Sequence, residues 1–159
     1  MPRIRLETFI HAPCEICFDL SRSVDMHRTS AAATGERAVA GRTSGLMNLH
    51  DSVTWHARHL GVWQNLTTTI TDMNPPTYFT DEMVRGAFRS FRHEHHFTQT
   101  ADGSTLMVDI FDFESPFGVV GRLVNRLFLT AYMRRFLERR NQTLKEFAER
   151  AHGHELSHW

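Results

Sequence analysis

The order of apolar and polar positions divides the chain into three parts. Residues 3–10 alternate, with Ile4 and Leu6 on one face, which predicts a first strand. The apolar positions that follow recur with helical spacing and predict two short helices, over residues 14–20 and 23–30. The N-terminal part is therefore predicted to be a strand followed by two helices.

The middle part, residues 31–115, has a period of two. Turn residues, among them Asp102-Gly103, interrupt it at hairpin spacing and mark out about six strands. After Pro116 the period becomes helical, and apolar residues recur from Val120 to Phe147 with no proline among them. One long C-terminal helix is predicted to end near Ala151.

A single helix offers only one apolar stripe, so it cannot form a separate layer that covers six or seven strands. The arrangement that buries most apolar surface is an α+β fold, in which a curved seven-stranded antiparallel sheet wraps around the long helix. A curved sheet and a helix do not fit flush, so we expect a cavity between them. Residues 1–151 are predicted to form one domain, and residues 152–159 a frayed tail that carries histidines.

The chain has 159 residues, of which 41% are hydrophobic, and this suffices for one core. Lys+Arg and Asp+Glu balance at 18 each, which argues against a nucleic-acid partner. The apolar run 117–133 contains arginines and the N-terminus is charged, so neither a transmembrane segment nor a signal peptide is expected, and a cytoplasmic location is predicted. Arginines on the last helix are interpreted as a solvated face, which leaves peripheral contact with a membrane open, and the sequence does not indicate the oligomeric state.

Cys14 and Cys17 form a CxxC at the start of the first predicted helix. No thioredoxin-like βαβ pattern accompanies the pair, and the segment supplies no further zinc ligands. Both cysteines are therefore interpreted as packing residues.

The order of elements and four sequence stretches resemble a known family. The stretches are FIHAPCEICFDLSRSVDMHRTS, SGLMNLHDSVTWHARHLGVWQNLTTTI, FTDEMVRGAFRSFRHEHHF and LMVDIFDFESPFGVVGRLVNRLF. Over nearly the whole length, the chain resembles the bacterial ligand-binding branch of the START-like superfamily, also called SRPBCC or polyketide cyclase/dehydrase-like, which includes Bet v 1-like proteins. The resemblance implies a helix-grip fold with a deep apolar ligand cavity, in a superfamily of lipid and hormone carriers, aromatase/cyclases and oxygenase subunits. It brings no established ligand for this branch, and the two cysteines lie outside the pattern.

The stretch FRHEHHF, residues 91–97, carries the candidate chemistry. Because side chains alternate along a strand, Phe91, His93, His95 and Phe97 share one face, and the two phenylalanines should face the interior. The outward positions, His96 among them, are expected to face solvent.

The next strand places Met107, Asp109, Phe111 and Phe113 on one face, and their aromatic bulk favours the interior. This register requires an odd-length connection around Asp102-Gly103, for example three residues with Gly103 in a left-handed conformation. Asp109 then falls opposite or diagonal to His95, where a carboxylate orients the imidazole and raises its pKa.

By the same alternation, Asp81 is predicted to face the cavity near His93, and Trp55 and His59 to face it from an earlier strand. The cavity is thus predicted to be apolar and aromatic with a polar belt that orients one polar end of a ligand. The predicted ligand-binding residues are Trp55, His59, Asp81, Met83, Arg85, Phe91, His93, His95, Asp109, Phe111 and Phe113.

Three functions compete for these residues, and the balance favours binding of a small hydrophobic ligand, such as a lipid, isoprenoid, polyketide or aromatic molecule, without a cofactor. The alternative is a cyclase or dehydratase in which His93 or His95 acts as acid/base beside Asp109. A metal site is the third. His93 and His95 could share an ion, but His59 lies about three strands away, roughly 14 Å, so Asp81 or Asp109 would have to complete the site, and no metal is assigned. The basic helix would suit a partner-binding module instead.

Overall fold

The protein is described by a computed structural model that covers residues 1–116 and 122–157, with the backbone alone at 122–125. Seven strands form one antiparallel sheet in the order β1-β7-β6-β5-β4-β3-β2. The strands are β1 (Arg3–Ile10), β2 (Arg37–Gly41), β3 (Ser52–His59), β4 (Val62–Asn74), β5 (Tyr78–Arg85), β6 (Ser90–Gln99) and β7 (Thr105–Glu114). The predicted sheet is confirmed, with six strands after the two short helices.

The helices are α1 (Cys14–Ser21), α2 (Val24–Ser30) and α3 (Arg122–Leu156), with a short 3-10 turn at Ala32–Thr34. Ser23 caps α2, because its side-chain oxygen accepts a hydrogen bond from the Met26 N–H at 3.1 Å. α3 continues past residue 151 to Leu156. The predicted start of this helix at 117–121 and the tail residue His158 lie outside the described residues.

α3 lies against β1, α1 and α2 and covers the concave side of the sheet. Its buried residues recur every three or four positions at Met133, Leu137, Arg140, Asn141, Leu144 and Ala148. The predicted apolar stripe is wrong at the start of the helix, where Leu127 and Phe128 are 79% and 58% exposed. None of the described helices combines the length and hydropathy needed to cross a bilayer.

The core consists of two clusters of buried side chains. The first joins α1 and α2 to the sheet and to the second half of α3, and it includes Ile10, Cys17, Phe18, Val53, Trp55, Phe79 and Leu144. The second joins β1, β6 and β7 to the first half of α3 through Ile4, Leu6, Phe91, Phe111, Phe113, Met133 and Leu137. Each fully buried side chain of this size contributes about 1.5–3 kcal/mol to the free energy of unfolding.

The connection between β6 and β7 has an odd length, as predicted. The Thr100 N–H donates to Ser104 O at 2.8 Å, so three residues close the hairpin, and Gly103 takes a left-handed φ of 83°. The register that results places Asp109 directly opposite His95, with both side chains buried. The predicted inward face of β7 is therefore confirmed.

A β-bulge in β5 corrects one prediction. Met83 pairs with Thr68, but Arg85 pairs with Thr67, so Val84 is an extra residue that reverses the alternation. Arg85 is therefore exposed on the outer face of the sheet, whereas the sequence pattern places it in the cavity. A bulge cannot be predicted from a period-two pattern, because it reverses the face on which the following side chains lie without changing the residue types.

Candidate functional site

A cavity of about 430 Å³ lies between the concave face of the sheet and α3. Residues of both core clusters line it. Its apolar lining includes Val53, Trp55, Phe79, Phe91, Phe111 and Leu137. This volume and an apolar wall with a few polar groups are typical of small-molecule sites.

The structure brings most of the sequence-predicted residues to this cavity. Those that line it are Trp55, His59, Asp81, Phe91, His93, His95 and Phe111. Met83 is partly buried against the second core cluster, and Phe113 is fully buried within it. Asp109 is buried behind the two histidines rather than at the cavity surface, and Arg85 lies outside.

Four side chains form the inner cluster: Asp81, His93, His95 and Asp109. His93 Nε2 is hydrogen-bonded to Asp109 Oδ1 and His95 Nε2 to Asp81 Oδ1, each at 3.1 Å. His95 Nδ1 lies 2.8 Å from Asp109 Oδ1, an ion-pair contact without hydrogen-bond geometry. The two imidazole rings are 3.9 Å apart between centroids, and His95 stacks on Phe79 at 4.2 Å. His95 is thus held between two carboxylates, whereas His93 is hydrogen-bonded to Asp109 and its Nδ1 lies 4.0 Å from Asp81 Oδ1.

The pKa values of the two histidines shift in opposite directions. Burial lowers the pKa of His93, the neighbouring charge of His95 lowers it further, and the result is about 4. Burial also acts to lower the pKa of His95, but its contacts with Asp109 and Asp81 outweigh this and raise it, as predicted from the sequence. Burial acts to raise the pKa of both aspartates, and the histidines overcome this and lower it. The inner cluster therefore favours the protonated form of His95 and the neutral form of His93.

Two residues of α3 complete this wall, and the sequence interpretation missed both. Asn141 donates through Nδ2 to Asp109 Oδ2 at 2.6 Å, which ties α3 to β7. Arg140 lines the cavity and is only 5% exposed, although the sequence pattern placed it on a solvated basic face. The signal was present in the spacing, because positions 140 and 141 fall on the stripe between Leu137 and Leu144.

A second polar group, the Glu36 cluster, lines the cavity from the side of β3. Glu36 is hydrogen-bonded to His27 Nε2 and lies 3.4 Å from His59 Nε2. His59 Nδ1 in turn is hydrogen-bonded to the Tyr132 hydroxyl at 2.8 Å. Alternation along β3 indicates only His59 of this group, because Glu36 and His27 lie outside any segment with a period of two.

Electrostatics keep Glu36 ionised although only 7% of it is exposed. Burial acts to raise its pKa, but the charge and hydrogen bond of His27 and the hydrogen bond of His59 lower it to about 2. Burial raises the pKa of Tyr132, and the charge of Glu36 adds to this, so the phenol keeps its proton. The cavity thus has two polar groups, one around His93 and His95 on β6 and one that includes His59 on β3, and these two strands stand three positions apart in the sheet.

Three residues of the inner cluster meet the distance requirement for a shared metal ion. One ligand atom each from Asp81, His93 and His95 lie within 4.8 Å of one another. Two of these residues, His95 and Asp81, are hydrogen-bonded to each other through Nε2 and Oδ1 at 3.1 Å. A metal ion would therefore have to displace the proton that lies between them.

Cys14 and Cys17 are free and buried at the start of α1. Burial raises the pKa of the Cys17 thiol to about 11, which removes the thiolate that redox chemistry requires. This fits their interpretation as packing residues.

Comparisons with known proteins agree on the fold. The family model described as polyketide cyclase / dehydrase and lipid transport matches residues 1–149. The solved structure of TTHA0849 from Thermus thermophilus is similar with a TM-score of 0.77 at 17% identity, over 94% of this chain and 99% of that one. No curated protein sequence matches the chain.

Two further solved structures are similar. The Zhui aromatase/cyclase from a Streptomyces species has a TM-score of 0.75 at 14% identity, over 94% of each chain. A START superfamily protein from Mycobacterium smegmatis has a TM-score of 0.70 at 14% identity, over 94% of this chain and 98% of that one. At such identities the likeness establishes the shared helix-grip fold.

Proposed function

Because this chain belongs to the polyketide cyclase / dehydrase and lipid transport family, we propose that it binds a small, largely apolar molecule between the sheet and α3. The observation that carries the proposal is the cavity of about 430 Å³ with its aromatic and aliphatic walls. A hydrophobic ligand gains free energy by leaving water for such a site. Lipids, isoprenoids, polyketides and aromatic molecules are the classes that fit this description.

The aromatic residues supply contact area in this proposal, and the polar residues fix the orientation of the ligand. Trp55, Phe91 and Phe111 form apolar walls, while His59 and Asp81 offer polar atoms at the cavity surface. Asp81 accepts from His95 through Oδ1, so its other oxygen is available to a ligand hydroxyl. Asp109 acts indirectly, because it holds His93 and His95 in place.

Native mass spectrometry of the protein purified without detergent or organic solvent tests this function, together with titration by the apolar fluorophore phenylnaphthylamine. We expect a bound apolar molecule, or saturable binding of one fluorophore per chain with enhanced emission. A protein that carries no ligand and binds neither the fluorophore nor any alkane would refute the proposal.

A second candidate function is acid/base catalysis on a cyclising or dehydrating substrate by His93 or His95. The buried imidazoles at the cavity wall favour it, and one similar structure is an aromatase/cyclase. Against it, both nitrogens of His95 and Nε2 of His93 lie within 3.1 Å of carboxylates, which leaves His93 Nδ1, 4.0 Å from Asp81 Oδ1, as the ring nitrogen best placed to accept a substrate proton. In an enzyme, His95→Gln should abolish turnover and keep binding, whereas a binding protein should show no turnover in either form.

A further inference from the structure

Arg140 is buried at the cavity wall and is almost unpaired. It is 5% exposed, and among the described residues its one hydrogen bond is a long contact of 3.5 Å from Nη2 to Ser21 O. Arg22 also lines the cavity, but its guanidinium donates to Asp19, to Met47 O and to Asn48. The protein therefore supplies acceptors for most of the N–H donors of Arg22 but for almost none of those of Arg140.

A guanidinium carries five N–H donors. Burying charged donors without acceptors costs free energy, and folded proteins rarely leave such groups unsatisfied. Arg140 lies beside the cavity, so its remaining donors can be satisfied by what occupies the cavity. This is the arrangement of a residue that contributes to binding rather than to folding.

The charges around Arg140 indicate what kind of acceptor it takes. No carboxylate of the described residues lies within ion-pair distance of it. Its positive charge nevertheless acts to lower the pKa of both Asp81 and His95. Two carboxylates stand in the wall near it, Asp81 at the cavity surface and Asp109 behind the histidines, and Glu36 adds a third carboxylate to the cavity lining. A ligand carboxylate would add a further negative charge beside these groups, whereas a carbonyl oxygen would not.

We propose that Arg140 donates hydrogen bonds to an uncharged carbonyl oxygen of the ligand, so that the occupant is an apolar ketone, ester or amide rather than a free acid. The proposal rests on the proposed function, because it names the chemistry of one end of the same ligand. Asp81, with a free carboxylate oxygen nearby, would accept from a hydroxyl or amide N–H on the same ligand.

Competition against phenylnaphthylamine tests the inference with three probes of equal carbon count: methyl decanoate, undecane and undecanoate. In the wild-type protein the ester should bind more tightly than the acid. Arg140→Gln should weaken the ester by roughly tenfold, because one hydrogen bond from a charged donor is lost, and should leave undecane unchanged. The matched control is Arg135→Gln, an exposed arginine on the same helix, which should change no affinity.

Stability of the unliganded protein separates binding from structure. If Arg140 acts on the ligand, Arg140→Gln should be at least as stable as the wild type, since the variant buries no poorly paired charge. If Arg140→Gln does not fold, Arg140→Lys replaces it in the experiment. This variant keeps the positive charge but loses the planar guanidinium, so it should also bind methyl decanoate more weakly than the wild type.

Tighter binding of undecanoate than of the ester would overturn the uncharged acceptor, and an equal loss of ester and alkane affinity in the Arg140 variants would overturn the contact itself. If the wild type binds neither fluorophore nor alkane, the proposed function fails instead.

Discussion

His95 and Asp109 face each other across the β6–β7 ladder, with His95 Nδ1 2.8 Å from Asp109 Oδ1. The same imidazole reaches Asp81 on β5, and the same carboxylate accepts from Asn141 on α3. One pair therefore connects three strands and the long helix beside the cavity. A change at this point should affect both the stability of the fold and the shape of the site.

Asp109→Asn should lower the free energy of unfolding at pH 7 by about 3–5 kcal/mol, because it removes the buried carboxylate that is hydrogen-bonded to His93 and Asn141 and lies 2.8 Å from His95. Chemical denaturation measures this. Glu114→Gln on the same strand is the control, since Glu114 is half exposed, lies 3.8 Å from the exposed Arg89 and should cost about 1 kcal/mol or less. Equal losses for the two variants would contradict the structural role given to Asp109.

Glu36 should make stability depend on pH in the acid range. Its pKa falls from 4.5 to about 2 on folding, so the ionised carboxylate stabilises the folded chain fully above about pH 4.5 and loses this effect as the pH falls towards 2. The contribution is on the order of 3 kcal/mol. The difference in unfolding free energy between the wild type and Glu36→Gln should therefore be largest near neutral pH and should disappear at low pH.

The matched control for this experiment is Glu7→Gln, which removes a half-exposed carboxylate on the outer face. Its difference from the wild type should stay small at every pH. A gap for Glu36→Gln that does not narrow between pH 4.5 and 2 would contradict the assignment.

Zinc should leave the Tm unchanged at pH 7. Metal ligands must be deprotonated, and an ion would have to displace the proton between His95 Nε2 and Asp81 Oδ1. Differential scanning fluorimetry with one equivalent of zinc, beside a chelator-treated sample, gives the measurement. A rise in Tm that disappears in His95→Gln would show a real metal site, and one that survives would point to histidines outside the inner cluster.

Ala57→Phe should abolish binding of apolar probes and keep the fold. Ala57 is buried on β3 and lines the cavity between Trp55 and His59, so a phenyl ring there occupies ligand space. Phenylnaphthylamine titration and circular dichroism measure the two effects. The control is Ala40→Phe on β2, an exposed position, and undiminished probe binding by Ala57→Phe would place the ligand elsewhere.

Much of the sheet could be predicted from alternation because each strand has one buried face. Phe91 and Phe97 fix the direction of His93 and His95, and the aromatic side of β7 fixes Asp109. A period of two decides such questions locally, without knowledge of the rest of the chain.

The missed residues depend on tertiary structure. Arg85 lies outside because one extra residue, Val84, shifts the β4–β5 register. Glu36 and His27 meet only when α2 packs beside β2, and Arg140 is buried because α3 turns that position inward although its type predicts solvent. Local patterns carry no information on such long-range encounters.

The three-residue β6–β7 connection constrains how the gene can vary. Removing or adding one residue near Gly103 would exchange the two faces of β7 and move Asp109 from the interior to the outer surface of the sheet. The length of this hairpin can therefore change only in steps of two residues if the pocket is to be kept. Natural or engineered variants that retain the ligand should keep an odd number of loop residues, even where every one of these residues is replaced.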